Sequence, residues 1–214
     1  MTFSRRLEGL YLVVAPILPF DRLLVVVEKA LTGGVDIMQF VSGEEASDTV
    51  GFARDLSHLA KQHGVPFLIN GKLQLMQEVR ADGMHFDTYD TTPGEVRRKL
   101  GGRYIVGYTL GNDLERLKWA EDVGADYISF CSIFPTSSAT QCEIVPIETV
   151  KVARSKTNLP IFAAGGIDLQ NAHLVLEAGA DGIAVVSAIL KARNPDQVAR
   201  TFKDIIRKHR TCVS

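Results

Sequence analysis

Eight short apolar runs recur along the chain, and each is followed by a segment whose apolar residues have the spacing of a helix. The runs predict strands at Leu10–Val14, Asp36–Phe40, Pro66–Ile69, Gly83–Phe86, Tyr104–Gly107, Tyr127–Phe130, Pro160–Ala163 and Gly182–Val186. The segments after them predict helices at Arg22–Thr32, Glu45–His63, Leu73–Arg80, Pro93–Leu100, Leu114–Val123, Ile147–Ser155, Leu169–Glu177 and Pro195–Lys208. Eight such pairs in 214 residues favour a minimal α/β fold, the (β/α)8 TIM barrel.

The predicted strands do not alternate apolar with polar residues, which is typical of parallel strands covered on both faces. Gly64, Gly124 and Gly179 stand where helices should end, and Pro93 and Pro195 stand where helices should begin. A doubly wound open sheet is the alternative arrangement. Because no linker or change of composition divides the chain, we expect a single domain over residues 1–214.

One local phrase recurs along the sequence, as RADGMHF, GADYISF and GADGIAVV. Each copy places an Ala-Asp pair where a predicted helix ends and the next strand begins. This sequence repeat supports a repeated structural unit. In a barrel built from such units, the chemistry is expected where strands end and the following loops begin.

Composition narrows the class of partner. A formal net charge of −1 provides no field that would attract nucleic acid or an anionic membrane, so a small molecule is favoured. Cys131, Cys142 and Cys212 form neither a disulfide framework nor a zinc-ligand pattern, which fits a reducing cytoplasm. Pro16 and Pro19 break the first apolar run too early for a targeting segment.

Two loops near the end of the chain have the character of a phosphate site. Gly165 and Gly166 follow the seventh strand and permit close approach of the backbone to a ligand, and Asp168 can cap the helix that follows. Ser187 follows the eighth strand and opens a short helical turn with free N–H groups. Either turn alone could be a structural connection, but barrels often build a phosphate site from these two loops.

The loop after the sixth strand is rich in hydroxyl groups and contains no basic residue. Its sequence FPTSSAT brings Thr136 and Ser138 to the predicted site, where neutral hydroxyls can bond phosphate oxygens. An ordinary surface turn rich in Ser and Thr is the alternative. We therefore expect the phosphate to be held by backbone amides and hydroxyls, without a cationic side chain.

Two amides and one cation follow the second and third strands. Gln39 and Asn70 can donate and accept hydrogen bonds at once, which suits a flat heterocycle or oxygen atoms, although either could equally satisfy buried backbone groups. Lys72 is the most plausible basic site residue, and a solvated helix start is its alternative role.

The segment HFDTYD follows the fourth strand and carries ionisable side chains. Asp87 and Asp90 could hold Mg²⁺ beside a phosphorylated substrate, or Asp90 could cap the next helix. His85 is a candidate acid or base, although hydrogen-bonded packing is the more common role for such a residue. The chain has no GxSxG, Walker, HExxH or dinucleotide-binding motif, which removes the usual support for those chemistries.

These residues resemble those of the thiamine phosphate synthase and thiazole tautomerase family. The resemblance covers nearly the whole chain, because the family's motifs occur here in order as GLYLVV, GGVDIMQF, GVPFLIN, ADGMHF, GADYISF, SIFPTS, AAGGI and GADGIAVVSAI. It implies a transferase of thiamine biosynthesis that joins a thiazole phosphate to an aminopyrimidine pyrophosphate with the help of Mg²⁺.

The resemblance also implies roles for individual residues. The residues that match positions around the thiazole phosphate are Thr136, Ser138, Gly166, Val186 and Ser187. Gln39 and Asn70 match positions around the pyrophosphate, and Asp90 matches a metal ligand.

This chain departs from the family pattern at several charged positions. Val41 and Gly43 replace two cations after the second strand, Gly71 replaces a metal ligand, and Ala139 replaces a lysine. Thr109 stands where the family has serine after the fifth strand, and the tautomerase histidine has no counterpart. The pattern predicts an intact phosphate-ester site beside a weakened pyrophosphate site.

Three functions follow from this pattern. The leading one is a thiamine phosphate synthase-like protein that binds thiazole phosphate and, if active, couples it to the pyrimidine. The alternatives are a binding or regulatory protein without turnover and an isomerase of another phosphorylated metabolite. The resemblance leaves homo-oligomerisation open.

Overall fold

The computed structural model describes residues 7–43, 49–136 and 143–213. Their strands are Gly9–Val14 (β1), Ile37–Phe40 (β2), Phe67–Asn70 (β3), Gly83–Phe86 (β4), Ile105–Thr109 (β5), Tyr127–Phe130 (β6), Ile161–Ala164 (β7) and Gly182–Val185 (β8). Their helices are Phe20–Thr32 (α1), Thr49–Gln62 (α2), Leu73–Val79 (α3), Pro93–Leu100 (α4), Glu115–Asp122 (α5), Ile147–Lys156 (α6), Ala172–Glu177 (α7), Ser187–Leu190 (α8) and Pro195–Val213 (α9).

The eight strands form a closed parallel barrel in chain order. Each strand pairs in parallel with the next, and β1 closes the ring against β8, with Leu10 in register with Ile183. The predicted (β/α)8 barrel is confirmed, and the open doubly wound sheet is wrong because β1 and β8 are hydrogen-bonded neighbours. Hereafter the mouth is the rim at the carboxyl ends of the strands, and the base is the opposite rim.

Three aromatic rings fill the interior of the barrel. Tyr11, Tyr127 and Phe162 meet edge to face, with centroids 5.2 Å apart for Tyr11 and Phe162 and 5.4 Å apart for Tyr127 and Phe162. This geometry is the favourable one for aromatic pairs. Because all three side chains are buried, they form a solid floor beneath the mouth.

The repeated Ala-Asp phrase has a structural cause at the base. Four aspartates, each just before an even-numbered strand, accept a backbone N–H at the start of the preceding odd-numbered strand. These bonds join Asp36 to Leu10, Asp82 to Phe67, Asp126 to Val106 and Asp181 to Ile161. The sequence shows three copies of the phrase, and Val35-Asp36 supplies the fourth in a different form.

Three of these aspartates also pair with a cation. Asp126 lies 2.7 Å from Nη2 of Arg97, Asp181 lies 2.9 Å from Nη1 of Arg154, and Asp36 pairs with Lys203. At Asp82, burial raises the pKa of the carboxyl above its ordinary value. Charge-assisted hydrogen bonds therefore stabilise the base of the barrel.

Some element boundaries differ from the prediction for local reasons. β5 extends to Thr109 because Thr109 remains in register with Ser129 of β6. α7 begins at Ala172 rather than Leu169, because Oδ1 of Asp168 accepts the N–H groups of Gln170 and Asn171 and forms a turn there. Among the described helices, none is long and apolar enough to cross a membrane.

Candidate functional site

A cavity of about 680 Å³ opens at the mouth, directly above the aromatic floor. Of the residues predicted for the site, those that line it are Gln39, His85, Asp87, Thr109, Thr136, Gly165, Gly166, Val186 and Ser187. This volume is within the usual range for small-molecule sites. The cavity is therefore the candidate ligand site.

The Gly165-Gly166 turn after β7 lies directly against the loop after β6. Both residues have positive φ, +87° and +66°, and a Cβ on Gly166 would lie 2.6 Å from the carbonyl oxygens of Phe134 and Pro135. The Phe134 N–H donates to the Gly165 carbonyl at 3.0 Å. Only glycine fits such a contact, and the packing brings Thr136 to the same cavity as the turn.

A cation that the sequence reasoning missed lies at this side of the cavity. Lys191 lines the cavity together with Ser187, one helical turn earlier, and its backbone N–H donates to the Ser187 carbonyl at 3.0 Å. The sequence led us to expect no cationic side chain here, and Lys191 places one in the cavity lining. Lys191 comes four residues after Ser187, and this spacing, which places two side chains on the same face of a helix, was the signal that could have identified it.

A chain of polar side chains crosses the other side of the floor. The Asn70 amide donates to Oδ2 of Asp87 at 3.1 Å, and the Gln39 amide donates to the Asn70 oxygen at 2.9 Å. The Tyr11 hydroxyl then donates to Oε1 of Gln39 at 2.7 Å. A carboxylate can only accept, so Asp87 fixes which way both amides point.

The chain continues through two buried phenols to a histidine. The Tyr127 hydroxyl lies 2.8 Å from the Tyr11 hydroxyl and 2.8 Å from Nδ1 of His85. Burial raises the pKa of both phenols, so each keeps its single proton. Because the Tyr11 hydroxyl donates its single proton to Gln39, it must accept a hydrogen bond from the Tyr127 hydroxyl. The Tyr127 hydroxyl then accepts a hydrogen bond from Nδ1–H of His85.

The second ring nitrogen of His85 returns to the start of the chain. It lies 2.8 Å from the Thr109 hydroxyl and 3.7 Å from Oδ1 of Asp87, and Thr109 contacts the Ser129 hydroxyl at 3.1 Å. The His85 ring, and then the Asn70 amide, hold the pKa of the largely exposed Asp87 carboxyl well below its usual range. Both nitrogens of His85 are thus already hydrogen-bonded, as the packing interpretation predicts.

Four predicted residues lie outside the cavity lining or outside the described ranges, namely Asn70, Lys72, Asp90 and Ser138. Asn70 bonds two lining residues, Gln39 and Asp87, and Lys72 is an exposed residue before α3. Ser138 lies outside the described residues. On the side where the resemblance expects cations, the cavity is lined by Val41.

The two candidate metal ligands contact different partners. Asp87 accepts from Asn70, whereas the exposed Asp90 accepts from the Thr88 hydroxyl. Asp90 does not cap α4, because the Thr92 side chain accepts the Glu95 N–H there. In the part of the chain that is described, no group of three or more His, Cys, Asp or Glu side chains could hold a metal ion. These residues do not complete a magnesium site, and Mg²⁺ stays a prediction of the resemblance.

A closed (β/α)8 barrel with a cavity at the carboxyl ends of its strands defines a class, the TIM barrels. The family model for thiamine monophosphate synthase matches residues 10–189, which is most of the chain. The protein therefore belongs to the thiamine monophosphate synthase family.

Curated relatives and solved structures agree with this assignment. The thiamine-phosphate synthase of Bacillus licheniformis is 39% identical over 187 residues, covering 85% of this chain and 83% of the relative. That of Nitrosomonas eutropha is 32% identical and covers 94% and 95% of the two chains. The structure of thiamine phosphate pyrophosphorylase from Pyrococcus furiosus has a TM-score of 0.81 at 24% identity, covering 94% of this chain and 96% of its own, which supports the fold.

Proposed function

We propose that the mouth cavity binds the phosphate of a thiazole phosphate, as part of thiamine biosynthesis. The observation that carries this proposal is the convergence of the Gly165-Gly166 turn with Thr136, Ser187 and Lys191 on one cavity. Backbone approach, two hydroxyls and one ammonium together provide donors for a doubly charged ester.

Coupling to the pyrimidine is the leading activity for this site. In that reaction Gln39 and Asn70 would hold the pyrophosphate, and the C–O bond to the pyrophosphate would break as the thiazole nitrogen forms its bond to the pyrimidine methylene. Removing one group that stabilises developing charge typically lowers a rate by about 10²–10³. Because Val41, Gly43 and Gly71 carry no charge, we expect coupling to be slow compared with that of relatives that have the cations.

Binding without turnover is the second candidate, and two residues favour it. Val41 lines the cavity where a cation was expected, and the Asp87 carboxylate lines the same cavity. A leaving pyrophosphate would meet an apolar side chain and a negative charge there. An isomerase that uses His85 or Asp87 as base has less support, because both His85 nitrogens are occupied and the lowered pKa of Asp87 makes it a weak base.

Calorimetry with thiazole phosphate tests the shared part of these candidates. We expect binding by the wild type and a loss of roughly tenfold or more in affinity for Ser187→Ala, since a hydrogen bond to a charged group contributes about 1.5–3 kcal/mol. Ser155→Ala is the matched control, because the exposed Ser155 bonds only its own helix, at the Val152 carbonyl. Absence of binding by the wild type would refute the proposal.

A coupling assay then separates the two candidates. Thiazole phosphate and the aminopyrimidine pyrophosphate are incubated with Mg²⁺ under conditions in which a relative forms thiamine phosphate. Product formation supports the synthase. Binding without product supports the second candidate, and restoring charge by Val41→Arg with Gly43→Lys should then raise the rate.

A further inference from the structure

The charges that line the cavity are separated across the mouth. Asp87 follows β4 and Lys191 follows β8 by one short helix. In a closed barrel of eight strands in chain order, β4 and β8 are on opposite sides. Asp87 therefore marks one side of the cavity, the negative side, and Lys191 marks the other, which we call the positive side although the Asp168 carboxylate also lines the cavity.

The positive side coincides with the glycine turn. Gly165, Gly166 and Ser187 line the cavity there with Lys191. Asp168 lines it as well, but its Oδ1 accepts the N–H groups of Gln170 and Asn171 in its own turn. Among the described lining residues, Lys191 is the one lysine or arginine, so it defines the anion-binding end.

The negative side is held in place by its neighbours and remains open to a ligand. The Asp87 side chain is 59% exposed, while Asn70 donates to one of its oxygens at 3.1 Å and the His85 ring approaches the other at 3.7 Å. Asn70 is itself fixed by Gln39. Asp87 is thus a positioned carboxylate that lines the cavity, where it can accept from a ligand and would repel an anion.

We propose that Asp87 determines the ligand class of this cavity, selecting a phosphate monoester whose opposite end carries a positive charge or N–H donors, and disfavouring pyrophosphate. This inference rests on the proposed function, which supplies the phosphate end. A phosphorylated thiazolium fits the pattern, because its ring nitrogen is cationic once alkylated. A neutral thiazole phosphate would interact electrostatically only with the positive side of the cavity, through its phosphate.

Binding measurements with three probes test this proposal without needing an activity. The probes are thiazole phosphate, its N-methylthiazolium analogue and inorganic pyrophosphate, each titrated calorimetrically at low ionic strength, where exposed charges are little screened. The first two differ by one methyl group and one positive charge. We expect the wild type to bind the thiazolium analogue up to about fivefold more tightly than the neutral ester, as expected for one partly exposed charge pair.

The variant Asp87→Asn keeps an acceptor for Asn70 and removes the charge. We expect it to lose the preference for the thiazolium analogue and to bind pyrophosphate more tightly than the wild type does. Asp113→Asn is the matched control, because Asp113 lies in the loop after β5, outside the described cavity lining, and pairs with Arg116 at 2.9 Å. It should keep the wild-type preference.

The results separate the two proposals. If neither ester binds the wild type, the proposed function fails and this inference fails with it. If both esters bind with equal affinity, or if the preference for the cation survives Asp87→Asn, the proposed function stands and the role of Asp87 is refuted. If the Asp87→Asn variant does not fold, the relative affinity of the wild type for the two esters decides whether the role of Asp87 is supported or refuted.

Discussion

Nδ1 of His85 lies 2.8 Å from the hydroxyl oxygen of Tyr127, at the floor of the mouth cavity. The same hydroxyl lies 2.8 Å from that of Tyr11, so one buried oxygen joins the histidine to the chain that ends at Asp87. Tyr127 is fully buried, which means that water cannot readily replace this oxygen.

Removing the Tyr127 hydroxyl should destabilise the fold. Tyr127→Phe leaves polar atoms of Tyr11 and His85 without their partner, and a buried unsatisfied group costs about 1–3 kcal/mol. Urea denaturation measures the free energy of unfolding. Tyr104→Phe is the control, since its hydroxyl makes one long bond of 3.5 Å to the Leu100 carbonyl. Equal stability of the two variants would contradict the claim that the buried hydrogen bonds of Tyr127 stabilise the fold.

Gly166→Ala should destabilise the protein and impair phosphate binding together. The control is Gly64→Ala, because Gly64 has the same φ of +66° but nothing within 4 Å of its added Cβ. Both variants incur the left-handed cost of about 1–2 kcal/mol, and only Gly166→Ala adds a collision with the Phe134 and Pro135 carbonyls. We expect Gly64→Ala to bind thiazole phosphate normally in calorimetry. A Gly166→Ala variant that did so with unchanged stability would show that the turn is not the phosphate site.

Asp181→Ala should cost more stability than a comparable surface change. Asp181 accepts the Ile161 N–H at 2.9 Å and pairs with Arg154, so its removal leaves a buried strand N–H unpaired, at about 1–3 kcal/mol. Asp122→Ala removes an exposed pair with Lys118, and exposed pairs contribute about 0–1 kcal/mol. Denaturant titrations of both variants measure the difference, and a larger loss at Asp122 would refute the role given to the base.

The stability that Asp87 provides should disappear in acid. Its pKa is lowered in the folded state, so the ionised carboxylate stabilises the fold above its ordinary pKa of about 4, and this contribution is lost as the pH falls below that value. Wild type and Asp87→Asn should therefore differ most in unfolding free energy near pH 7, and the difference should narrow progressively as the pH falls below about 4. If the difference in unfolding free energy between the two proteins grew as the pH fell, the pKa of Asp87 would not be lowered by folding, and the prediction would be wrong.

The parts of the structure that were predictable from the sequence are those governed by local rules. Short apolar runs and helix punctuation predicted the strand order. The Gly165-Gly166 pair and Ser187 predicted two turns that line the mouth cavity, because each turn depends on neighbours in the chain. Lys191 was missed because its role depends on a helical turn after β8 that is only four residues long.

The hydrogen-bond chain at the floor was not predictable in the same way. Tyr11 and Gln39 are 28 residues apart, and His85 and Tyr127 are 42 residues apart, so their contacts follow from strand register rather than from any motif. Gln39 and Asn70 were recognised individually, but the direct bond between them depends on the pairing of β2 with β3. Sequence reasoning identified these side chains without the connections that orient them.

The aspartate bonds at the base have a consequence for how a barrel of this kind can change. They hold β1, β3, β5 and β7 at the base, at the rim opposite the mouth cavity. Substitutions at the mouth, such as the uncharged Val41 where the resemblance predicts a cation, can therefore accumulate without loosening the ring. A lineage can lose one chemistry and acquire another while its scaffold stays the same.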